Sequence, residues 1–242
     1  MEVLTVGINK GGTAKTTTAA AMAQAATARG MRALAIDLDP QGSLTLALAG
    51  DPGRPGSFEL MQGAAAADLI QASQTGPDII PASMNLAAVT SFRGSARRLQ
   101  AALEEIRADY DLIIIDTPHT AGELQYNAMQ ASTGLLIPAA ADVYSLQGLY
   151  QIMETAERIR RSNPELTIKG FIITEYDGRS NIAKTARDAL IKNAGPEVPY
   201  LGTVRKAAAV QEAAGFRVSL FKHAPKSTAA RDYMAIFDKI MK

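Results

Sequence analysis

The chain has 242 residues, 47% of them hydrophobic, and a formal net charge of +1. That apolar content supports a buried core and excludes a disordered chain, and the length suits a single α/β domain over residues 1–242. There is no cysteine, which excludes structural disulfides, zinc–thiolate sites and iron–sulfur clusters.

The first apolar run, residues 3–8, predicts a strand that enters at once. No charged n-region or apolar h-region precedes it, so no signal peptide is expected. Next comes Asn-Lys-Gly-Gly-Thr-Ala-Lys-Thr-Thr at 9–17, opening an alanine-rich helix over 17–28. A strand, a glycine turn and Lys-Thr at a helix start together hold phosphate: turn N–H groups form an anion nest and the helix end adds partial positive charge. Lys15 would reach the β- and γ-phosphates and the Thr16 hydroxyl would ligate Mg²⁺. The usual spacing is G-x-x-x-x-G-K-[ST]; here Asn9 and Ala14 stand at the two glycine positions, and a second lysine, Lys10, precedes Lys15 by five residues. Read alone, the stretch also fits an ordinary strand–turn–helix.

A second strand over 33–37 runs into Asp37-Leu-Asp39-Pro-Gln-Gly-Ser. Carboxylates at i and i+2 project the same way, one near a metal and one toward an attacking water; a plain turn capping the next helix is the alternative. Residues 50–76, rich in Gly, Pro, Ala and Gln, read as a surface excursion with short helices. Strand 79–82 and helix 95–108 follow, then strand 112–115, which ends in Ile-Asp116-Thr-Pro. Four apolar residues closing on an acid deliver one carboxylate to a dry sheet edge. Helix 121–130, strand 134–138, helix 146–161, strand 168–174, helix 181–193, strands 200–203 and 218–221 and helix 228–241 complete the pattern. Continuous apolar strands alternating with helices predict a doubly wound, mostly parallel sheet flanked by helices. Ligands in such sheets bind beyond the strands' carboxyl ends, where the loops after residues 8, 37 and 115 lie. No apolar run nears the ~18 residues that span a bilayer, and the expected location is cytoplasmic.

The charge is unevenly spread: residues 1–168 balance to −5 and residues 169–242 to +6. Such asymmetry suits either a polyanion-binding face or scattered solvated lysines.

The three motifs in this order resemble the ParA/Soj partition ATPases, P-loop proteins with a deviant, signature-lysine Walker A. That family's pattern is K-G-G-x-G-K-[ST]-T, then D-x-D-P-Q-G, then I-I-D-x-P. The resemblance continues through residues 136–148, 174–179, Glu212, Ala213, Phe216 and 225–227, covering almost the whole chain. It implies a P-loop NTPase fold, ATP and Mg²⁺ as ligands, and a homodimer closed around two nucleotides. Lys10 would cross to the partner's phosphates, with Gly11, Gly12, Thr13, Ala14, Lys15, Thr16 and Thr17 cradling the subunit's own. Asp39 would orient the attacking water, while Asp37 and Asp116 would support the metal through water. Hydrolysis would be slow until a ParB-like centromere-binding protein stimulates it, and the ATP dimer would bind double-stranded DNA non-specifically, becoming nucleoid-associated. Lys184, Lys206, Arg217, Lys222 and Lys226 are the candidate DNA contacts.

The chain departs from the family at three places. Ala14 replaces a glycine, at a cost if that position needs φ > 0. His119 stands where a second proline is frequent. Ala209 stands where an arginine associated with DNA binding is common, and Arg205 or Arg217 is the candidate compensation. Because the first strand begins near residue 3, no helix-turn-helix domain is expected before it. The competing readings are a MinD-like ATPase using helix 228–241 as a membrane anchor, a metabolic ligase of the superfamily, and an ATP-sensing dimer that scarcely hydrolyses.

Overall fold

The computed structural model describes residues 1–91, 97–142 and 144–242. In chain order the strands are β1 (Glu2–Val6), β2 (Ala33–Asp37), β3 (Asp78–Ile80), β4 (Leu112–Asp116), β5 (Gly134–Ala140), β6 (Thr167–Tyr176) and β7 (Tyr200–Arg205). The helices are α1 (Lys15–Ala28), α2 (Ser43–Ala47), α3 (Ser57–Gln62), α4 (Arg98–Glu105), α5 (Glu123–Gln130), α6 (Ser145–Arg160), α7 (Asn181–Asn193), α8 (Ala208–Gly215), α9 (Leu220–His223) and α10 (Thr228–Ile240).

Among the described residues the strands form one seven-stranded sheet in the order β3-β2-β4-β1-β5-β6-β7, and every pairing is parallel. The continuous apolar runs have a direct cause. In β4, Leu112 and Ile114 enter the core under α1 and α10, while Ile113 and Ile115 enter the opposite core under α3, α4 and α5. Both faces are covered, so no position along the strand is left for a polar residue. Helix α1 is alanine-rich for a related reason. It lies between the sheet and the α10 layer, and residues 18–26 are all buried; only small side chains allow that close approach on several sides.

Register brings the chemistry together. Asp37 ends β2, Asp116 ends β4, and the two are paired across the sheet. The loop after β1 leaves from the same carboxyl edge.

The expected strand at 218–221 is not formed. Arg217 and Val218 end α8 through bonds to the carbonyls of Ala214 and Ala213, Ser219 precedes α9, and the Leu220 N–H donates to Gln24 Oε1 of α1 at 3.1 Å. The apolar residues of that stretch serve a short helix packed on α1 rather than a strand. Helix α8 was not expected; its lone buried residue is Ala213, so it has almost no apolar periodicity to read. The excursion over 50–76 does carry short helices, but Leu60, Met61, Ala66 and Leu69 are buried in the α3–α4 core, so it covers the sheet rather than leaving it. Of the expected helix 95–108, α4 spans residues 98–105, and residues 95 and 96 lie outside the described residues, as does Val143 of the 136–148 stretch.

Candidate nucleotide site

The glycine turn delivers two lysines in different ways. Gly12 has φ +70 with open space around it, and Ala14 has φ 55 and ψ 37, a left-handed position at the start of α1. The sequence condition is therefore met: this position demands positive φ and holds an alanine. No acidic residue stands in the first turn of α1, so its N–H groups and dipole are uncompensated and suited to an anion. Lys15 is buried, and its Nζ donates to the Lys10 carbonyl at 2.8 Å. Burial lowers its pKa, opposed by the charges of Asp116 and Asp39. Thr13 is buried with its carbonyl accepting from Thr174 Oγ1 at 3.0 Å, which ties the turn to the end of β6. Thr13 Oγ1 has no partner among the described residues. Gly11 is exposed, and Thr17 lies at the helix start beside Ala14.

Lys10 is held within its own chain. Its Nζ donates to Asp142 Oδ2, and to Ser145 Oγ at 3.2 Å. Asp142 also accepts from the backbone N–H groups of Tyr144 (2.9 Å) and Ser145 (3.0 Å), so it closes the start of α6 as well as binding the lysine. Burial raises the Asp142 pKa, but the bond and charge of Lys10 and the N–H donors outweigh it, and the net shift is downward. The close seat of α6 depends on Gly148, where a Cβ would stand 3.3 Å from Ile8 and 3.4 Å from the Lys10 Cβ.

The acids behind the turn are deeply buried. Thr16 Oγ1 donates to Asp116 Oδ2 at 2.7 Å, uniting a hydroxyl and a carboxylate that suit a hard divalent cation. Burial, then the neighbouring Asp37, raises the Asp116 pKa well above the usual carboxylate range. Asp37 accepts from Thr45 N (2.8 Å), Thr45 Oγ1 (2.7 Å) and Asp39 N (3.1 Å). Burial nonetheless pushes it up to about 6. Its first service is thus to pin the Asp-Leu-Asp-Pro-Gln-Gly turn and α2 onto the sheet. Asp39 is half-buried, with Oδ1 accepting from Gln41 N at 3.0 Å. His119 is exposed just beyond Asp116.

An all-oxygen set of Thr16, Asp116 and Asp37 beside the Lys15 amine fits Mg²⁺ carried with a nucleotide. No cluster of three or more His, Cys, Asp or Glu able to hold a metal occurs among the described residues. A metal here would therefore complete its shell with phosphate and water, the usual habit of Mg²⁺.

Sequence reasoning missed one part of the site. A cavity of about 350 Å³ opens beside Ala14 and Thr17, walled by Glu175, Arg205, Lys206, Gln211 and Tyr233. Its size suits a small organic ligand, and it adjoins the phosphate turn. The carboxyl ends of β6 and β7 together with α8 and α10 supply it, and only topology reveals that they meet α1. Lys206 therefore lines this cavity. Lys222, Lys226 and Arg217 are exposed around α8, α9 and the start of α10, whereas Lys184 is on α7, which packs on the opposite face of the sheet. The five basic candidates are not one cluster. Ala209 is partly buried against the α1 core, and Arg205 is tied to Asp232 at 2.6–2.8 Å.

Helix α10 buries Ala229, Ala230, Tyr233, Ile236 and Phe237, the face a membrane anchor would need free. No helix among the described residues is long and apolar enough to cross a membrane.

Known proteins resemble this chain across its length. A family model described as an AAA domain matches residues 1–168. The chromosome-partitioning ATPase Soj of Thermus thermophilus is 32% identical over 234 residues, covering 96% of this chain and 92% of that protein. The chromosome partitioning protein ParA of Caulobacter vibrioides is 32% identical over 252 aligned residues, covering 100% of this chain and 94% of its own. Among solved structures, cobyrinic acid a,c-diamide synthase from Mycobacterium smegmatis, with bound ATP analogue and magnesium, superposes with a TM-score of 0.86. It is 28% identical and covers 98% of this chain and 93% of its own. An identity of 32% over nearly the whole of this chain and more than nine-tenths of each relative makes it a member of the ParA/Soj family of partition ATPases.

Proposed function

We propose that the chain is a DNA-partition ATPase that works as one unit over residues 1–242. It binds ATP with Mg²⁺ at residues 10–17, with the nucleoside in the cavity beside Ala14. The observation that carries this reading is the Lys15–Thr16–Asp116 group at the carboxyl edge of β1 and β4, backed by a helix end with no competing acid. Thr16 and, through water, Asp116 and Asp37 would hold Mg²⁺, which would supply charge neutralisation at the phosphates. Lys15 holds the same phosphates, the buried acids keep the edge dry, and Asp39 orients the attacking water. This is catalysis by positioning and charge, and it is slow unaided.

Two ATP-loaded copies pair, and Lys10 leaves Asp142 to reach the partner's phosphates. The pair binds double-stranded DNA without sequence preference, hydrolysis is stimulated by a ParB-like centromere-binding partner, and the chain works in the cytoplasm on the nucleoid. The full-length 32% identity to Soj and ParA favours this over a metabolic synthase, the name of one structural neighbour. The test is DNA retention by gel shift with ATP, ADP or no nucleotide across a salt series. Retention under ATP alone, falling steeply with salt through counterion release, supports partition. Equal retention in all three states refutes a nucleotide switch.

A further inference from the structure

Lys10 is held by contacts that nucleotide binding and pairing would consume. Its Nζ donates to Asp142 and Ser145. Its carbonyl accepts from Lys15 Nζ at 2.8 Å, the amine that turns to phosphate when ATP binds. Nothing stiffens the chain just after it, since open space surrounds Gly11 and Gly12 where a Cβ would stand. The residue before it is held differently. Asn9 occupies one of the two positions where glycine is usual in a phosphate turn, and its Oδ1 accepts from Gln125 Nε2 at 2.8 Å. Gln125 lies on α5, the helix that follows the loop leaving Asp116, and is 1% exposed. Both groups of this bond are neutral amides, with no charge to exchange for a phosphate.

Gln125 occupies this place at a cost to the fold. Its Oε1 is buried and has no hydrogen-bond partner among the described residues. A buried acceptor without a donor destabilises by more than one hydrogen bond contributes. An apolar side chain of the same length would therefore suit the packing at least as well. A polar group kept where packing alone would not keep it points to function rather than stability. We propose that Gln125 is a positioning residue for Lys10. Through Asn9 it fixes the Lys10 backbone, so that the side chain reaches the partner's phosphates from a set origin once Asp142 and Lys15 have let go. This rests on the cross-subunit role given to Lys10 above and names what aims it.

The experiment compares the unaltered full-length chain with Gln125→Met, Asn9→Ala and the double variant. Three quantities are read: the melting temperature without nucleotide, the melting shift given by MgATP, and pairing with MgATP by sedimentation velocity. Gln125→Met is expected to melt no lower than the unaltered chain and to keep its MgATP shift, while pairing requires about five- to tenfold more protein. Asn9→Ala should weaken pairing by a similar factor, and the double variant by no more than either alone, because all three remove one link. A purely structural role for Gln125 would instead lower the melting temperature together with pairing, and that result overturns the inference. A Gln125→Met chain that pairs as tightly as the unaltered one also overturns it, and the role of Lys10 then stands. So does a double variant whose loss is the product of the two single losses, since the residues then act separately. If the unaltered chain itself stays monomeric with MgATP, the cross-subunit reading has failed and this inference falls with it.

Discussion

Replacing Ala14 by glycine should stabilise this protein, against the usual effect of glycine at the start of a helix segment. Ala14 sits at φ 55 and ψ 37, where a Cβ crowds the following carbonyl at a cost of roughly 1–2 kcal/mol. Glycine removes that cost but adds freedom to the unfolded chain, worth roughly 0.5–1 kcal/mol the other way. Alanine is also a poor residue at the position before a helix, and glycine a better one. The net expectation is a gain of about 0.5–1 kcal/mol. For a chain of this size each kcal/mol moves the midpoint by roughly 2–4 °C, so Ala14→Gly should melt about 1–4 °C higher. Thermal unfolding followed by circular dichroism, without nucleotide, reads this directly. Ala14→Val should move the other way, since a β-branched side chain tolerates this conformation worst. A lower midpoint for Ala14→Gly would refute the strain argument. Because Ala14 also lines the cavity beside the phosphate turn, MgATP turnover of the same variant tests the weakly hydrolysing reading, which requires that the methyl restrain the rate.

The other expectations concern charge. Lys15→Ala should abolish the rise in melting temperature that MgATP gives the unaltered chain, because the only buried amine of the turn is gone. Asp142→Asn keeps an acceptor for the Tyr144 and Ser145 N–H groups but loses the ion pair with Lys10. A half-exposed pair is worth roughly 0.5–1 kcal/mol, so ATP-dependent pairing should occur at about two- to fivefold lower protein concentration in sedimentation runs, and unchanged pairing would show that Asp142 does not compete. Asp37, pushed up to about 6 by burial, binds a proton in the folded state that the unfolded chain releases near 4. Stability of the nucleotide-free chain should therefore fall as pH rises from about 4 through 6. Urea unfolding at pH 4 and 7 should show that loss, and Asp37→Asn should reduce it.

The sequence made the phosphate turn legible because its chemistry is local: Lys10 to Thr17 are consecutive, and a strand before them and a helix after them follow from apolar patterning. Asp37 and Asp116 were legible as strand ends, and parallel pairing then sets them side by side. Lys10's partner was not, because Asp142 lies 132 residues away and nothing in its own segment marks it as a lysine acceptor. The cavity beside Ala14 escaped for the same reason, since Glu175 at the end of β6, Lys206 after β7 and Gln211 on α8 meet at a point set by strand order. Residues 218–221 misled because a short, mostly apolar run with Val218 and Phe221 scores as a strand; Gln24 and the end of α8 decide otherwise by claiming its backbone groups. The basic residues were countable but not separable, and the fold carries the exposed Lys184, Lys206 and Lys222 to three different surroundings.

Association state with and without nucleotide tests the central claim most directly, measured by sedimentation velocity on the unaltered chain and on Lys10→Ala. The unaltered chain should be a monomer alone and a dimer with MgATP, while Lys10→Ala binds the nucleotide with its usual melting shift yet stays monomeric. A Lys10→Ala chain that dimerises with MgATP as the unaltered chain does would contradict the role given to this lysine.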